Sequence, residues 1–144
     1  MARVMQVEQR NQVYQANDAF YNAFQELDIQ AMEKVWAKAA YIQCIHPGWT
    51  LIRGWDAVMA SWRRIFEDTK EMSFLLSDVQ ITVRGPVAWA TLYENITSRI
   101  GSETVSATVL TTNIFEKSPG RWQLIHHHGS NVVRPPTQSN ITVH

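Results

Sequence analysis

The residues with the clearest chemical potential in this sequence are the consecutive histidines His126, His127 and His128, which follow Trp122 and Leu124 in a β-strand-like segment. Side chains of a strand alternate between its two faces. The alternation predicts that His126 and His128 share an inner face with Trp122 and Leu124, and that His127 lies on the outer sheet surface. Because imidazoles on an apolar face are costly to bury without partners, we expect the function at this inner face.

A neutral imidazole donates and accepts hydrogen bonds and titrates near neutral pH, which suits general acid–base catalysis on a carbonyl or enol compound. His46 directly follows a short β-like segment, 41–45. The side-chain alternation of that segment can bring His46 to His126 and His128 as a third imidazole. One alternative is that these histidines are simply hydrogen-bonded core residues. Another is a metal site, in which His46 completes a His-x-His zinc ligand set. No other cofactor is expected.

Two further polar residues are candidate catalytic groups. Glu94 alternates with Leu92, but the opposite parity, which carries Trp89, is equally suited to the inner face. A carboxyl on an apolar face has a raised pKa and can act as an acid or base. Asn113 alternates with Phe115 and is predicted to point inward, where it fixes a ligand carbonyl or a histidine tautomer, or else bonds a neighbouring loop.

Tryptophan is unusually frequent, with six residues in a chain of 144. Tryptophan buries a large area and carries an N–H group that needs a partner. The simplest interpretation is a core and a subunit interface; the functional one is an aromatic-walled pocket for a small apolar molecule. The candidate wall residues are Trp49, Trp62, Tyr21, Phe24, Trp89 and Trp122.

The composition limits the classes of partner. Thirteen basic and thirteen acidic residues give a formal net charge of zero, which argues against a nucleic-acid-binding protein. Cys44 is the only cysteine, so an internal disulfide is excluded and a cytoplasmic location is expected. The N-terminus lacks the apolar region of a signal peptide, and no apolar run is long enough to cross a membrane.

The order of predicted elements indicates an α+β fold, because helices come first and a β-meander follows. Asp28 is the predicted N-cap of the second helix, and glycine-containing turns separate the long strands. We expect one domain over 1–133 and a loose tail over 134–144. The predicted helices cover 7–27, 29–38 after the N-cap, and 55–68 after Gly54, and the long strands cover 72–84, 87–100, 103–116 and 121–132.

These elements, with several local motifs, resemble the nuclear transport factor 2-like superfamily and within it the SnoaL-like group. The resemblance implies a strongly curved antiparallel sheet, a conical hydrophobic pocket and a homodimer packed through the sheet face. The sequence has no match to the Tyr and Asp pair of ketosteroid isomerases or to the Arg–Asp–Asp set of limonene epoxide hydrolases. The motifs are Cys44-Ile45-His46-Pro47-Gly48, Gly54-Trp55, Ser61-Trp62, Thr112-Asn113-Ile114-Phe115 and Gly120-Arg121-Trp122.

The family includes isomerases, dehydratases and cyclases as well as non-catalytic domains, so the function must be argued from the site. We expect a small-molecule pocket protein, of isomerase, cyclase or lyase type, acting on an apolar or aromatic carbonyl compound. The alternative is a non-catalytic ligand-binding or dimeric assembly module. A filled interior with histidines bonded to protein groups favours the module, and an open cavity lined by histidines favours the enzyme.

Overall fold

A computed structural model describes residues 2–133. Three helices and six strands follow the predicted order, so the α+β class is confirmed; the predicted tail, 134–144, lies outside the described residues. No helix in 2–133 combines the length and apolarity that a membrane crossing requires. The elements are α1 (Ala2–Gln25), α2 (Ile29–Val35), β1 (Gln43–Ile45), β2 (Ile52–Arg53), α3 (Trp55–Asp68), β3 (Glu71–Arg84), β4 (Val87–Ile100), β5 (Glu103–Ser118) and β6 (Arg121–Asn131).

One six-stranded sheet has the order β2-β1-β6-β5-β4-β3. The four long strands form the predicted antiparallel meander, with Gly101 and Gly120 at positive φ in two of its turns. The sheet is mixed rather than wholly antiparallel, because β1 runs parallel to β6 and pairs Cys44 with His127. This pairing brings the short early strand beside the histidine segment.

The helices cover one side of the sheet, here called the inner face; the other side is the outer face. Helix α1 buries a stripe at helical spacing that includes Val13, Phe20 and Phe24, as expected for an amphipathic helix. The N-cap prediction is confirmed, since the Asp28 side chain accepts a hydrogen bond from the Ala31 backbone N–H at 3.1 Å. The core lies between these helices and the inner face.

A β-bulge in β6 changes the facing of the histidines. Ile114 of β5 pairs with His126, whereas its neighbour Phe115 pairs with Leu124, so Ile125 is an extra residue in β6. An extra residue reverses the alternation beyond it. Leu124 before the bulge and His127 after it are therefore both on the inner face, and His127 is only 2% exposed.

Gly129 lies on the inner face of β6, where the sheet is tightly packed. A Cβ at this position would lie 2.8 Å from Val109 Cγ1 and 3.3 Å from Pro47 Cγ. Because carbon atoms 2.8 Å apart overlap, the end of β6 can lie this close to Val109 only without a side chain, while the contact with Pro47 would be tight. The glycine thus helps to hold the histidine segment against Val109 of β5.

We predict that Gly129→Ala lowers the free energy of unfolding by about 1–3 kcal/mol through overpacking. Val109→Ala removes the nearest obstructing methyl group, so the double variant should be more stable than the sum of the two single effects predicts. Urea unfolding of the parent and three variants measures this coupling. Strict additivity would show that Val109 does not limit the space at Gly129.

Candidate functional site

A chain of buried hydrogen bonds links β6, β5, α1 and β4 on the inner face. His127 Nδ1 lies 2.6 Å from Asn113 Oδ1, and Asn113 Nδ2 lies 3.2 Å from the Tyr21 hydroxyl oxygen. The Tyr21 hydroxyl in turn donates to Glu94 Oε2. All four side chains are at most 4% exposed. The fold therefore buries an acid, a phenol, an amide and an imidazole in one connected group, here called the interior chain.

The donors and acceptors of the interior chain run in one direction. An amide oxygen only accepts, so His127 carries its proton on Nδ1 and donates it to Asn113. The Asn113 amide then donates to the Tyr21 hydroxyl and, at 3.0 Å, to Asn17 Oδ1. Tyr21 is left to donate to Glu94. This order fixes the tautomer of His127 and the orientation of Asn113.

Burial dominates the electrostatics of Glu94. It raises the pKa of the carboxyl to about 7, although the hydrogen bond from Tyr21 acts in the opposite direction. Burial, and then the charge of Glu94, raises the pKa of the Tyr21 phenol well above its ordinary value. A carboxyl in this environment exchanges its proton near neutral pH, which is the property required of a general acid or base.

A second polar cluster lies beside His127 and contains His46, Ser61 and Cys44. The Ser61 hydroxyl donates to Val58 O at 2.6 Å, so its oxygen accepts from His46 Nε2 at 2.9 Å. His46 Nδ1 is then the unprotonated nitrogen. Burial lowers the pKa of His46 to about 4 and raises the pKa of the Cys44 thiol. This imidazole is neutral at physiological pH, and the thiol is protonated and unreactive.

Aromatic rings pack around both clusters. The Phe20 ring centre lies 5.0 Å from that of His127, and the Trp62 ring centre lies 4.6 Å from that of His46. Phe24 and Phe74 pack at 4.6 Å, and Phe74 also contacts the Tyr21 ring at 5.3 Å. The polar groups thus lie in apolar surroundings, where hydrogen bonds and charges act more strongly than in water.

The prediction of which histidines in the run 126–128 point inward is wrong. His127, expected on the outer surface, is the buried imidazole, while His126 and His128 lie on the outer face beyond the bulge at Ile125. His46 does point inward as predicted, but its ring neighbour is His127, with 6.3 Å between ring centres. The predicted triad of His46, His126 and His128 therefore does not assemble.

The remaining candidates divide between the two faces. Glu94, Asn113, Tyr21, Phe24, Trp62 and Trp122 are buried on the inner side. Trp89 is 37% exposed and lies on the outer face, because the β4 parity that buries Glu94 turns it outward. Trp49 is 40% exposed and contacts only the edge of the interior, where its ring lies against His46.

The sequence interpretation missed Asn17, Ser61 and Thr111 as inner-face polar groups. Asn17 was accessible to sequence reasoning, since it lies four residues after Val13 and three before Phe20 on the buried stripe of α1. A polar residue within an apolar helical stripe indicates a buried hydrogen bond. Thr111 was accessible in a similar way, since it lies between Val109 and Asn113 on the inward parity of β5, whereas Ser61 has no such signal because small hydroxyl residues are common on exposed surfaces.

Several buried donors remain unused among residues 2–133. Asn17 Nδ2 and Trp62 Nε1 have no hydrogen-bond partner there. An unsatisfied buried polar group costs roughly 1–3 kcal/mol, so these atoms are available to an oxygen-bearing ligand. Within the same residues no group of three or more His, Cys, Asp or Glu side chains is arranged to hold a metal ion, which removes the predicted three-ligand zinc site.

Comparison with proteins of solved structure shows extensive similarity. A "putative dehydratase from the NTF2-like family" of Streptomyces avermitilis is 35% identical, with 88% of this chain and 97% of that chain covered and a TM-score of 0.82. A "putative calcium/calmodulin-dependent protein kinase type II association domain" from Thiobacillus denitrificans is 29% identical, with 82% and 93% covered and a TM-score of 0.73.

Among curated proteins, the F-box protein SKIP8 of Arabidopsis thaliana is 29% identical over 120 residues, which are 82% of this chain. The match covers 48% of that protein, so the chain spans about half the length of this relative. The profile of the SnoaL-like domain family matches residues 13–135. Together with the shared fold and order of elements, this match shows that the chain belongs to the SnoaL-like domain family of the nuclear transport factor 2-like superfamily.

Proposed function

We propose that this protein binds a small apolar or aromatic carbonyl compound on its inner face and catalyses proton transfer on it, as an isomerase, cyclase or lyase. The observation that carries the proposal is the Glu94 carboxyl, buried in an aromatic surrounding with a pKa raised to about 7 and bonded to Tyr21. The interior chain replaces His126 and His128 as the candidate catalytic group.

The energetic cost of the interior chain favours a functional role. A core of this kind is generally at least as stable when its buried polar groups are replaced by well-packed apolar side chains. The buried Glu94 carboxylate depends on Tyr21 as a hydrogen-bond donor, and the buried Tyr21 hydroxyl accepts a hydrogen bond from Asn113, so each buried polar group is satisfied only by another one. Strongly perturbed titratable groups of this type concentrate at functional sites.

The unused donors support binding of an oxygen-bearing ligand. The Asn17 amide and the Trp62 indole N–H are buried on the same side as Tyr21 and Glu94. A substrate carbonyl or hydroxyl oxygen would satisfy them, and the rings of Phe24 and Phe74 would contact its apolar part. Polar groups that fix orientation within an apolar lining are typical of small-molecule sites.

The chemistry proposed for the ionised Glu94 carboxylate is removal of a proton from the carbon next to the substrate carbonyl. The electron pair of that C–H bond enters the enolate, and a donor such as Tyr21 or Asn113 stabilises the oxygen. The protonated Glu94 then returns the proton. Delivery to another carbon gives an isomer; delivery to a departing β-hydroxyl gives water and an unsaturated carbonyl compound.

The similarity to the Streptomyces avermitilis protein supports a lyase among these alternatives, since the name of that protein describes dehydration.

The closed interior means that a substrate can bind only if side chains around the interior chain move. Tyr21 and Glu94 are almost fully buried, so a substrate must displace the rings of α1 or α3 to reach them. We propose that the aromatic contacts of Phe24 with Trp62 and Phe74 open on binding.

A second candidate function is assembly, which two structural observations and one relative support. The interior histidines are bonded to protein groups, as expected for a non-catalytic module. The outer face exposes Leu75, Trp89 and Leu110, with Tyr93 half-buried between them. The Thiobacillus denitrificans relative is named as an association domain. We propose that a second copy of this chain packs on the outer face, which is compatible with either function.

The catalytic proposal predicts that at least one member of a panel of hydrophobic carbonyl compounds raises the Tm of the parent protein. Glu94→Gln should lower kcat on that compound about 100- to 10,000-fold, the usual contribution of a general acid or base. Tyr21→Phe should reduce the rise in Tm that the bound compound causes. His128→Ala, on the outer face, is the matched control and should keep both properties.

Two results would refute the catalytic proposal. One is a panel in which no compound shifts the melting temperature of the parent protein. The other is a bound compound that Glu94→Gln converts at the parental rate.

The raised pKa of Glu94 predicts a pH-dependent effect of Glu94→Gln on stability. The folded carboxyl has a pKa of about 7, against 4.5 ordinarily. Between these pH values the folded state holds a proton that the unfolded chain has released, so Glu94 destabilises the fold increasingly as pH rises. The variant cannot ionise, and its stability relative to the parent should increase by on the order of 3 kcal/mol from pH 4.5 to above pH 7.

Urea unfolding at a series of pH values measures this difference. Glu67→Gln removes one formal charge from an exposed position of α3 and serves as the control. A stability difference between Glu94→Gln and the parent that stays constant with pH would contradict the assignment of Glu94.

The assembly proposal predicts that the parent protein has twice the 16.5 kDa mass of one chain in solution. Leu110→Asp should produce monomers, because it places a charge within the apolar outer face. Leu51→Asp is a matched control, since Leu51 is 40% exposed, Leu110 is 44% exposed, and Leu51 lies in the loop before β2. Light scattering after size-exclusion chromatography distinguishes them; a monomeric parent would refute the dimer.

A further inference from the structure

The outer face carries a feature that the proposed function does not use, namely the pair of His126, which is half-buried, and His128, which is exposed. Both follow the bulge at Ile125 and project from the same side of β6, with 6.3 Å between their ring centres. They lie opposite Ile114 and Thr112 of β5. Two imidazoles two residues apart on a strand therefore lie side by side on the outer face.

Gln43 of the neighbouring strand β1 orients one ring of this pair. Its side-chain oxygen Oε1 lies 3.2 Å from His126 Nδ1. Because an amide oxygen only accepts, Nδ1 of His126 carries the proton, and Nε2 keeps a free lone pair. Histidines that bind metals typically donate their other ring N–H to such an acceptor. Gln43 thus holds His126 in the tautomer that a metal ion requires.

A shared ion requires the two rings to approach each other slightly. With metal–nitrogen bonds of about 2.1 Å and a tetrahedral angle at the ion, the ring centres would lie roughly 5.3 Å apart, about 1 Å closer than in this structure, and rotation of the His128 side chain between rotamers can supply that approach. Imidazole nitrogen is a preferred ligand of zinc, copper and nickel ions. The inner-face residues His46 and His127 are buried and bonded elsewhere, so they do not compete for this ion.

The geometry points to a transition-metal site on the outer face, in which His126 and His128 chelate one divalent ion and Gln43 positions His126. The remaining coordination positions belong to water or to the same pair of a second copy packed on this face. The site does not depend on the proposed catalytic function, since it lies on the other side of the sheet. It also differs from the predicted zinc site, which required His46.

Isothermal titration of the untagged full chain with Zn²⁺, and separately with Ni²⁺, tests the site. All proteins carry His144→Ala, which removes the histidine at the end of the sequence. We expect saturable binding, with one ion per chain if water completes the site and one ion per two chains if a second copy does. Gln43→Ala should weaken affinity about tenfold, as loss of an outer-shell partner does.

His126→Ala and His128→Ala should each abolish saturable binding while leaving the Tm in the absence of metal near that of the parent, because neither side chain belongs to the buried core between the helices and the inner face. As a second readout, substoichiometric Ni²⁺ should broaden the imidazole NMR signals of His126 and His128 before those of His46 and His127. The site is refuted if the parent shows no saturable binding, or if binding survives in His128→Ala.

Discussion

The hydrogen bonds of the Asn113 amide are the constraint on which the interior depends. Its oxygen accepts from His127 of β6, and its nitrogen donates to Asn17 and Tyr21 of α1. Because Tyr21 donates its only proton to Glu94, reversing the amide would place the Asn113 oxygen against the phenol oxygen with no proton between them. The first helix and the last strand are therefore held in one relative position, in which the Tyr21 hydroxyl is directed at Glu94.

This constraint explains how an acid can persist inside an otherwise apolar core. A buried carboxyl without partners would be prohibitively unfavourable in its ionised form. Glu94 receives the Tyr21 proton donor, which favours ionisation, while burial opposes it, and the balance leaves its pKa near neutrality. The low-dielectric surroundings make the interior chain energetically costly to bury. The same surroundings would strengthen its electrostatic interaction with a bound substrate.

The sequence predicted the α+β order, the N-cap at Asp28 and the meander correctly, because these features depend on local periodicity and turn residues. It did not predict which histidines face inward, since strict alternation gives the wrong face after one inserted residue and nothing in the local composition marks Ile125 as a bulge. The parallel pairing of β1 with β6, which is non-local, was missed for a similar reason. Asn17, by contrast, could have been found from helical spacing alone.

Catalysis by the interior chain requires Glu94 to exchange a proton near neutral pH inside the folded protein. A ¹³C NMR titration can follow the side-chain carboxyl of Glu94, assigned by comparison with Glu94→Gln. We expect a midpoint of about 7, which moves upward in Tyr21→Phe because the phenol's hydrogen bond stabilises the ionised form. A midpoint at the ordinary value of 4.5, unchanged in Tyr21→Phe, would refute the proposed role of Glu94.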